Sequence, residues 1–143
     1  MLEITQEGGI VRMVEPGVLR EVLDVRISHI FFAQPIYNPI QAVNIVLQAP
    51  EVEEFMKTRG YSWPPRMVAA TGITGNFDPP PDLPHVSGTM DNVTVSEALD
   101  RILKTFPGMC VYENCLQTTD KARDIYIGFF SLGKLGSIPV VVH

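Results

Sequence analysis

The sequence predicts a small α+β domain, in which a small mixed β-sheet carries two or three helices on one face. Two helices with clear start signals predict this class, one beginning after Asn38 and the other after Thr94. Each follows an apolar stretch with strand character, which is typical of a repeated β-α unit. Of the 143 residues, 45% are hydrophobic, so we expect residues 1–143 to form a single domain with its own core.

The N-terminal region is predicted to contain two strands. Residues Ile10–Val14 form a short candidate strand, which the turn signal Pro16-Gly17 ends. A longer strand is expected over Val22–Phe32, a stretch rich in Val, Ile and Phe, and Pro35 closes it.

Two helices are predicted next. The first begins after the N-cap residue Asn38 and ends near Gln48. The second is short, covers Glu51–Thr58, and lies between Pro50 at its start and Gly60 at its end.

The middle of the chain is rich in Gly and Pro. Tyr61–Pro65 is predicted to be a turn region, Arg66–Thr71 a short strand, and Gly72–His85 a loop of about a dozen residues. This loop is either a functional loop or an inserted surface loop, and the surface loop is the favoured interpretation. Tyr61 and Trp63 are the candidate protein-contact residues, because Trp is enriched at interaction hot spots. Packing of Trp63 against the domain's own core is the alternative, and it is the favoured interpretation.

The second half contains the best-defined helix. A strand over Val86–Met90 leads to Thr94, and Glu97 three residues later completes a capping box. The helix then carries an apolar stripe and ends at Pro107-Gly108. The residues of this stripe are Val95, Ala98, Leu99, Ile102, Leu103 and Phe106.

Three further strands are predicted, over Met109–Tyr112, Asp124–Phe130 and Ile138–Val142, with a polar turn region at Glu113–Arg123. In the second of these, Ile125, Ile127 and Phe129 share one face and are expected to be buried.

Cys110 and Cys115 are the two cysteines of the chain. On one straight strand their Cα atoms would lie roughly 16 Å apart, which is beyond disulfide reach. A disulfide therefore requires a turn at Val111–Asn114, and two unpaired thiols are the favoured expectation.

The stretch Val86–Leu103, VSGTMDNVTVSEALDRIL, resembles the short N-terminal domain of secretins and TonB-dependent receptors, the STN domain. That family continues into a hairpin, whose strands would be Met109–Glu113 and Asp124–Ile127. Its first strand and helix are similar to Ile30–Ile36 followed by Gln41–Val43.

The STN-like region covers about residues 24–130. It departs from the family at Ala49–Pro65, where the family has a short link, and at the added loop Gly72–His85. The resemblance implies a non-catalytic protein-binding or assembly module of the bacterial cell envelope, which contacts a protein partner or itself. Such a module would be periplasmic or envelope-associated if a signal peptide was removed, and cytoplasmic otherwise. The alternatives are an uncharacterised hydrolase with a site at the 72–85 loop and a structural domain of a cytoplasmic complex.

Charge and hydropathy argue against two classes of partner. The formal net charge is -5 and no run of basic residues occurs, so binding to nucleic acid is not expected. No apolar stretch approaches the ~18 residues of a membrane-spanning helix, so membrane insertion is not expected.

No motif for catalysis, metal binding or cofactor binding is found, and we predict no catalytic residue, no metal and no cofactor. His29 is expected to be a half-buried strand residue and His85 a solvated loop residue. Glu51, Glu53 and Glu54 form an acidic cluster in the first turn of a helix, where carboxylates interact favourably with the helix dipole.

Overall fold

The computed structural model describes residues 2–14, 16–63, 83–116, 123–135 and 138–142. Helices and strands alternate through these ranges, so the α+β class predicted from the sequence is confirmed. The described strands form three hydrogen-bonded sheets, where a single sheet was expected.

The described part of the chain contains both short and long elements. The helices are α1 (Val18–Leu23), α2 (Pro39–Leu47), α3 (Pro50–Arg59) and α4 (Val95–Thr105). The strands are β1 (Glu3–Glu7), β2 (Ile10–Val14), β3 (Arg26–Ile36), β4 (Tyr61–Ser62), β5 (Val86–Thr94), β6 (Gly108–Leu116), β7 (Arg123–Leu135) and β8 (Ile138–Val142).

Two of the sheets enclose the helices α2 and α4. One sheet is the antiparallel pair β3–β5, and the other has the order β4–β7–β6, with β4 parallel to β7 and β8 paired to the end of β7. Helix α2 contacts both β3 and β7, while α4 contacts both β5 and β6. The helices therefore have a sheet on each side, whereas the sequence predicted them on one face of a single sheet.

The composition of α2 explains this arrangement. The helix PIQAVNIVL has no charged residue, and it buries Ala42, Val43, Val46 and Leu47. A helix that is apolar on most of its circumference needs cover on more than one side. The third sheet, the β1–β2 hairpin, contributes Val14 to the core and is linked to α4 and α1 by the ion pairs Arg12–Asp100 and Glu3–Arg20.

The two β-α units predicted to be equivalent occupy equivalent places. Strands β3 and β5 pair antiparallel with each other, and the helices that follow them, α2 and α4, pack side by side. The two helices thus share the β3–β5 sheet, as the repeat predicted.

The predicted strand over Val22–Phe32 is wrong in its first part. Val22 and Leu23 belong to α1 and are almost fully buried, and the strand begins only at Arg26. The error arises because a short apolar run suits a buried helical turn as well as a strand. The strand also continues through Pro35 to Ile36, although Pro35 was expected to end it. Its ladder to β5 is irregular at this point, so the absence of a backbone N–H on Pro35 is tolerated.

The helix boundaries predicted for α2 and α3 are confirmed. The Asn38 side-chain oxygen accepts hydrogen bonds from the amides of Ile40, at 2.9 Å, and Gln41, at 3.4 Å. Helix α3 begins at Pro50, and Gly60 follows its last residue with a positive φ of 71°, a conformation that glycine adopts without strain.

The capping box of α4 is present as predicted. The Glu97 amide donates to the Thr94 hydroxyl at 3.1 Å, and the Thr94 amide donates to the Glu97 carboxylate at 2.8 Å. The apolar stripe faces the core, since Val95, Ala98, Leu99 and Ile102 are fully buried. On β7, all three residues predicted to be buried, Ile125, Ile127 and Phe129, are buried.

Strand β6 is longer than predicted. It runs to Leu116 and stays in one register with β7, so the polar turn expected from Glu113 starts no earlier than residue 117. The turn that a disulfide would require is therefore missing, and the Cys110 thiol is free. The fold confirms the predicted strand β8 over Ile138–Val142.

Four of the sequence predictions fall wholly or partly outside the described residues, namely residues 64–65 of the first turn region, the strand Arg66–Thr71, residues 72–82 of the Gly/Pro-rich loop, and residues 117–122 of the polar turn region. Of the helices that are described, none has the length and apolar character needed to cross a bilayer.

The buried stripe of α4 predicts a large cost for truncation at its centre. Leu99→Ala should lower the free energy of unfolding by about 2–5 kcal/mol, because Leu99 is fully buried between the two sheets. Equilibrium urea denaturation measures the change, with Leu83→Ala, at an exposed position, as the control. A Leu99→Ala protein as stable as the control would contradict the helix register.

The capping box predicts a smaller effect at the start of the same helix. Thr94→Ala should cost about 1 kcal/mol, because the Glu97 amide loses its side-chain acceptor. Thr94→Ser keeps the hydroxyl and should lose only a fraction of that amount. Equal losses for Ala and Ser, measured by the same denaturation, would show that the hydroxyl does not stabilise the helix.

Candidate protein-contact site

The predicted contact residues Tyr61 and Trp63 lie at the edge of the larger sheet. Tyr61 opens β4, where it pairs in parallel with Arg123 of β7. Both aromatic side chains are partly buried and pack against the core. Part of each ring thus has a structural role, and their role in protein contact stays a prediction.

A shallow groove follows the second half of β3. It has a volume of about 420 Å³ and is lined by the consecutive strand residues Phe31–Ile36 together with Gln41 and Ile45 of α2. None of these lining residues carries a charge. The groove is therefore elongated along the strand and is neutral.

The backbone of β3 is irregular at this groove. The ladder to β5 is regular from Arg26 to Phe32, then shifts before it resumes at Ile36. The three residues between, Ala33, Gln34 and Pro35, are exposed. These three residues have no Cα partner in the β3–β5 ladder.

Phe31 is the most exposed aromatic residue on the described surface, with 61% of its area accessible. It lies opposite Thr89 on the face of the β3–β5 sheet that turns away from the helices. The ring is one of the side chains that line the groove.

A cluster of ionisable groups joins the hairpin to the core. The Arg12 guanidinium of β2 forms an ion pair with Asp100 of α4, and it also bonds to the Tyr112 hydroxyl of β6. The Cys110 thiol lies within electrostatic range of both Arg12 and Asp100. The Arg12 side chain thus links β2 of the hairpin to α4 and to β6.

Burial controls the titration of this cluster. It raises the pKa of Cys110 from 9.0 to about 12, and the negative charge of Asp100 acts in the same direction. Burial also raises the pKa of Tyr112 from 10.0 to about 12. Burial lowers the pKa of Arg12, but its interactions with Asp100 outweigh this, so its pKa is raised. A thiol with a raised pKa is a weak nucleophile, so Cys110 is not poised for covalent chemistry.

The two described histidines make local contacts. His29, expected to be half-buried, is exposed on β3, where its Nδ1 contacts the Asp91 carboxylate. In His85, Nδ1 lies 2.9 Å from the carbonyl oxygen of Leu83, and the ring lies 5.3 Å from that of Tyr37. Within the described ranges, no group of three or more His, Cys, Asp or Glu residues is arranged to hold a metal ion.

The acidic cluster of α3 has a role that the sequence did not reveal. Glu51 and Glu53 lie in the first turn, as predicted. The Glu51 carboxylate also accepts hydrogen bonds from the backbone amide, at 2.9 Å, and the hydroxyl of Ser28 on β3. These bonds lower the pKa of Glu51 and tie α3 to the strand that carries the groove.

Two surface features were missed from the sequence. The exposure of Phe31 has no local signal, because it depends on which face of β3 the helices cover. The strand β1 does have a signal: Gly8-Gly9 lies between two strand-length segments, which is typical of a two-residue hairpin turn. Both glycines adopt positive φ, at 57° and 82°, as such a turn requires.

Comparisons of the chain with protein-family models, with curated protein sequences and with solved structures find no match.

The Arg12 cluster predicts a loss of stability in alkaline solution. Cys110 and Tyr112 have higher pKa values in the folded state, so they ionise first in the unfolded chain. Stability should be complete below about pH 9 and fall as the pH rises towards 12. Tyr112→Phe should flatten this fall, which urea denaturation between pH 7 and the alkaline limit measures. Tyr126→Phe, at an exposed tyrosine, is the control; equal slopes for both variants would contradict the assignment to Tyr112.

Proposed function

We propose that this chain is a non-catalytic protein-binding or assembly module of the bacterial cell envelope. The observation that carries the binding role is the neutral groove along Phe31–Ile36, beside the exposed ring of Phe31. The envelope assignment is supported by the STN resemblance alone.

The shape and chemistry of the groove favour an extended peptide segment of a partner protein. Six consecutive strand residues form one wall, so a ligand that follows the wall is itself elongated. An extended segment can add to a sheet edge through backbone hydrogen bonds, and among the described strands β3 pairs only with β5, while side chains of the segment enter the groove. Because the lining is uncharged, the segment that fits carries apolar and uncharged polar side chains.

The order of elements is compatible with the resemblance. A strand and helix, β3 and α2, are followed by the short strand β4, then by β5 and the capped helix α4, and then by the β6–β7 hairpin. The resemblance implied a strand and helix, then a strand, a capped helix and a hairpin, which β3, α2, β5, α4 and the β6–β7 pair match in order; the strand predicted at Arg66–Thr71 lies outside the described residues, and β4 falls in the segment Ala49–Pro65 that departs from the family. This agreement supports the proposal, and helix α3 is an addition to it.

The protein-binding proposal predicts that a charge in the groove weakens partner capture. Phe31→Asp should fold normally, because the ring is mostly exposed, and should recover fewer partners from a native envelope lysate. Leu83→Asp places the same charge at another exposed apolar residue and should recover the wild-type set. The measurement is affinity capture followed by mass spectrometry.

Recovery of the same partners by Phe31→Asp and by the wild-type protein would remove the groove from the function. Affinity capture with the variant Trp63→Ala tests the predicted contact at the edge of the larger sheet. Fractionation of cells that express the native gene with a C-terminal tag tests the compartment, and exclusive recovery from the cytosol would contradict the envelope assignment.

A further inference from the structure

Helix α3 is bonded directly to the backbone of β3 near the start of that strand. The Glu51 carboxylate, in the first turn of the helix, accepts hydrogen bonds from the Ser28 amide, at 2.9 Å, and from the Ser28 hydroxyl. Val52, the next residue of α3, is fully buried in the core. The start of α3 is therefore fixed beside β3 both by burial and by a polar bond to the strand.

The ladder between β3 and β5 leaves the Ser28 amide to Glu51. Ile27 is paired with Val93 and His29 with Asp91, but the ladder gives Ser28 no Cα partner. Asn92, which lies between these two partners on β5, has a positive φ of 51°, so the backbone departs from regular strand geometry at this position. Glu51 thus satisfies, from α3, a strand amide that β5 does not pair with.

The second half of β3 has no such cover among the described residues. Ala33, Gln34 and Pro35 are exposed, they have no Cα partner in the ladder, and no described backbone group outside the strands bonds to them. Consecutive strand residues point to opposite faces of a sheet, yet all residues from Phe31 to Ile36 line the groove. The groove therefore runs along the edge of the strand.

The two halves of β3 thus differ in their capacity to pair with another strand. Unpaired backbone groups at a sheet edge are a template for an added strand, and proteins close such edges with helices, loops or charged side chains. Here a helix and a carboxylate close the edge at Ser28, whereas the groove from Phe31 onward is open and uncharged.

We propose that Glu51 limits where an extended segment adds to β3, because it holds the Ser28 amide and confines the segment to the groove along Phe31–Ile36. This inference rests on the proposed function, since it concerns the same groove and the same class of ligand. Glu51 is a positioning residue. It denies the segment the backbone group with which pairing would continue beyond the groove.

Amide hydrogen exchange of the full chain, followed by NMR, tests the bond on which the proposal depends. The Ser28 amide should be protected in the wild-type protein and in Glu51→Gln, which keeps an acceptor oxygen. In Glu51→Ala it should exchange about tenfold faster, because the hydrogen bond to a charged acceptor is lost. Glu53→Ala removes a carboxylate from the same helical turn and should leave this exchange unchanged.

An uncharged hexapeptide of alternating threonine and valine, with acetylated and amidated ends, is the probe for the edge itself. Added to the wild-type protein, it should shift the amide resonances of residues 31–34 and leave that of Ser28 in place. In Glu51→Ala the shifts should extend to Ser28, while Glu51→Gln and Glu53→Ala should keep the wild-type boundary. A purely structural role of Glu51 would lower the stability of Glu51→Ala without moving this boundary.

A form of the peptide with every backbone nitrogen methylated has the same side chains and no N–H donor, so it should cause no shifts. Equal shifts with both peptides, no shift on β3 with the unmodified peptide, or the wild-type boundary in Glu51→Ala would overturn the proposal. Loss of partner capture by Phe31→Asp together with an unmoved boundary would remove the role of Glu51 and keep the proposed function. Unchanged capture by Phe31→Asp would contradict that function wherever the boundary lies.

Discussion

The packing of α2 against α4 between two sheets is the constraint on which the rest of the structure depends. Neither sheet is wide enough to cover a core alone, since one has two strands and the other is two strands wide through most of its described length, with a third strand beside β7 only at Arg123–Asp124 and at Ser131. The helices supply the shared apolar layer: Val43 and Val46 of α2 and Leu99 and Ile102 of α4 are almost fully buried. Each helix contacts both sheets. A truncation that leaves a cavity in this layer is therefore expected to destabilise the packing of both helices against both sheets.

The elements outside this layer combine buried side chains, such as Val52 of α3 and Val14 of β2, with polar side-chain contacts. Glu51 fastens α3 to β3 through Ser28, and Arg12 fastens the hairpin to α4 through Asp100. The two ties differ in their response to pH. The pKa of Glu51 is lowered, so its contribution is present at neutral pH and is lost on acidification, while the cluster around Tyr112 weakens at high pH. The Glu51–Ser28 contact of α3 is therefore expected to weaken at low pH, and the Arg12 cluster of the hairpin at high pH.

Sequence reasoning succeeded where a local signal decides the structure. The capping box at Thr94 fixes the start of α4 because both of its bonds form within one turn, and Asn38 acts in the same way for α2. It failed where tertiary contacts decide. The helical conformation of Val22 follows from burial against the core, and the extension of β6 to Leu116 follows from its long pairing with β7. The exposure of Phe31 could not be predicted, because alternation along a strand shows two faces without showing which one the helices cover.

The enclosure of the helices also explains why the candidate groove follows a strand. The helices α2 and α4 bury their apolar side chains in the core, because each contacts both sheets. A strand at the boundary of the core has a second face that the core does not use. In β3 the second face carries Phe31, which lines the groove. The groove is neutral although the chain has a net charge of -5. Association at the groove should therefore depend weakly on ionic strength, whereas long-range attraction between charged patches would be screened by salt.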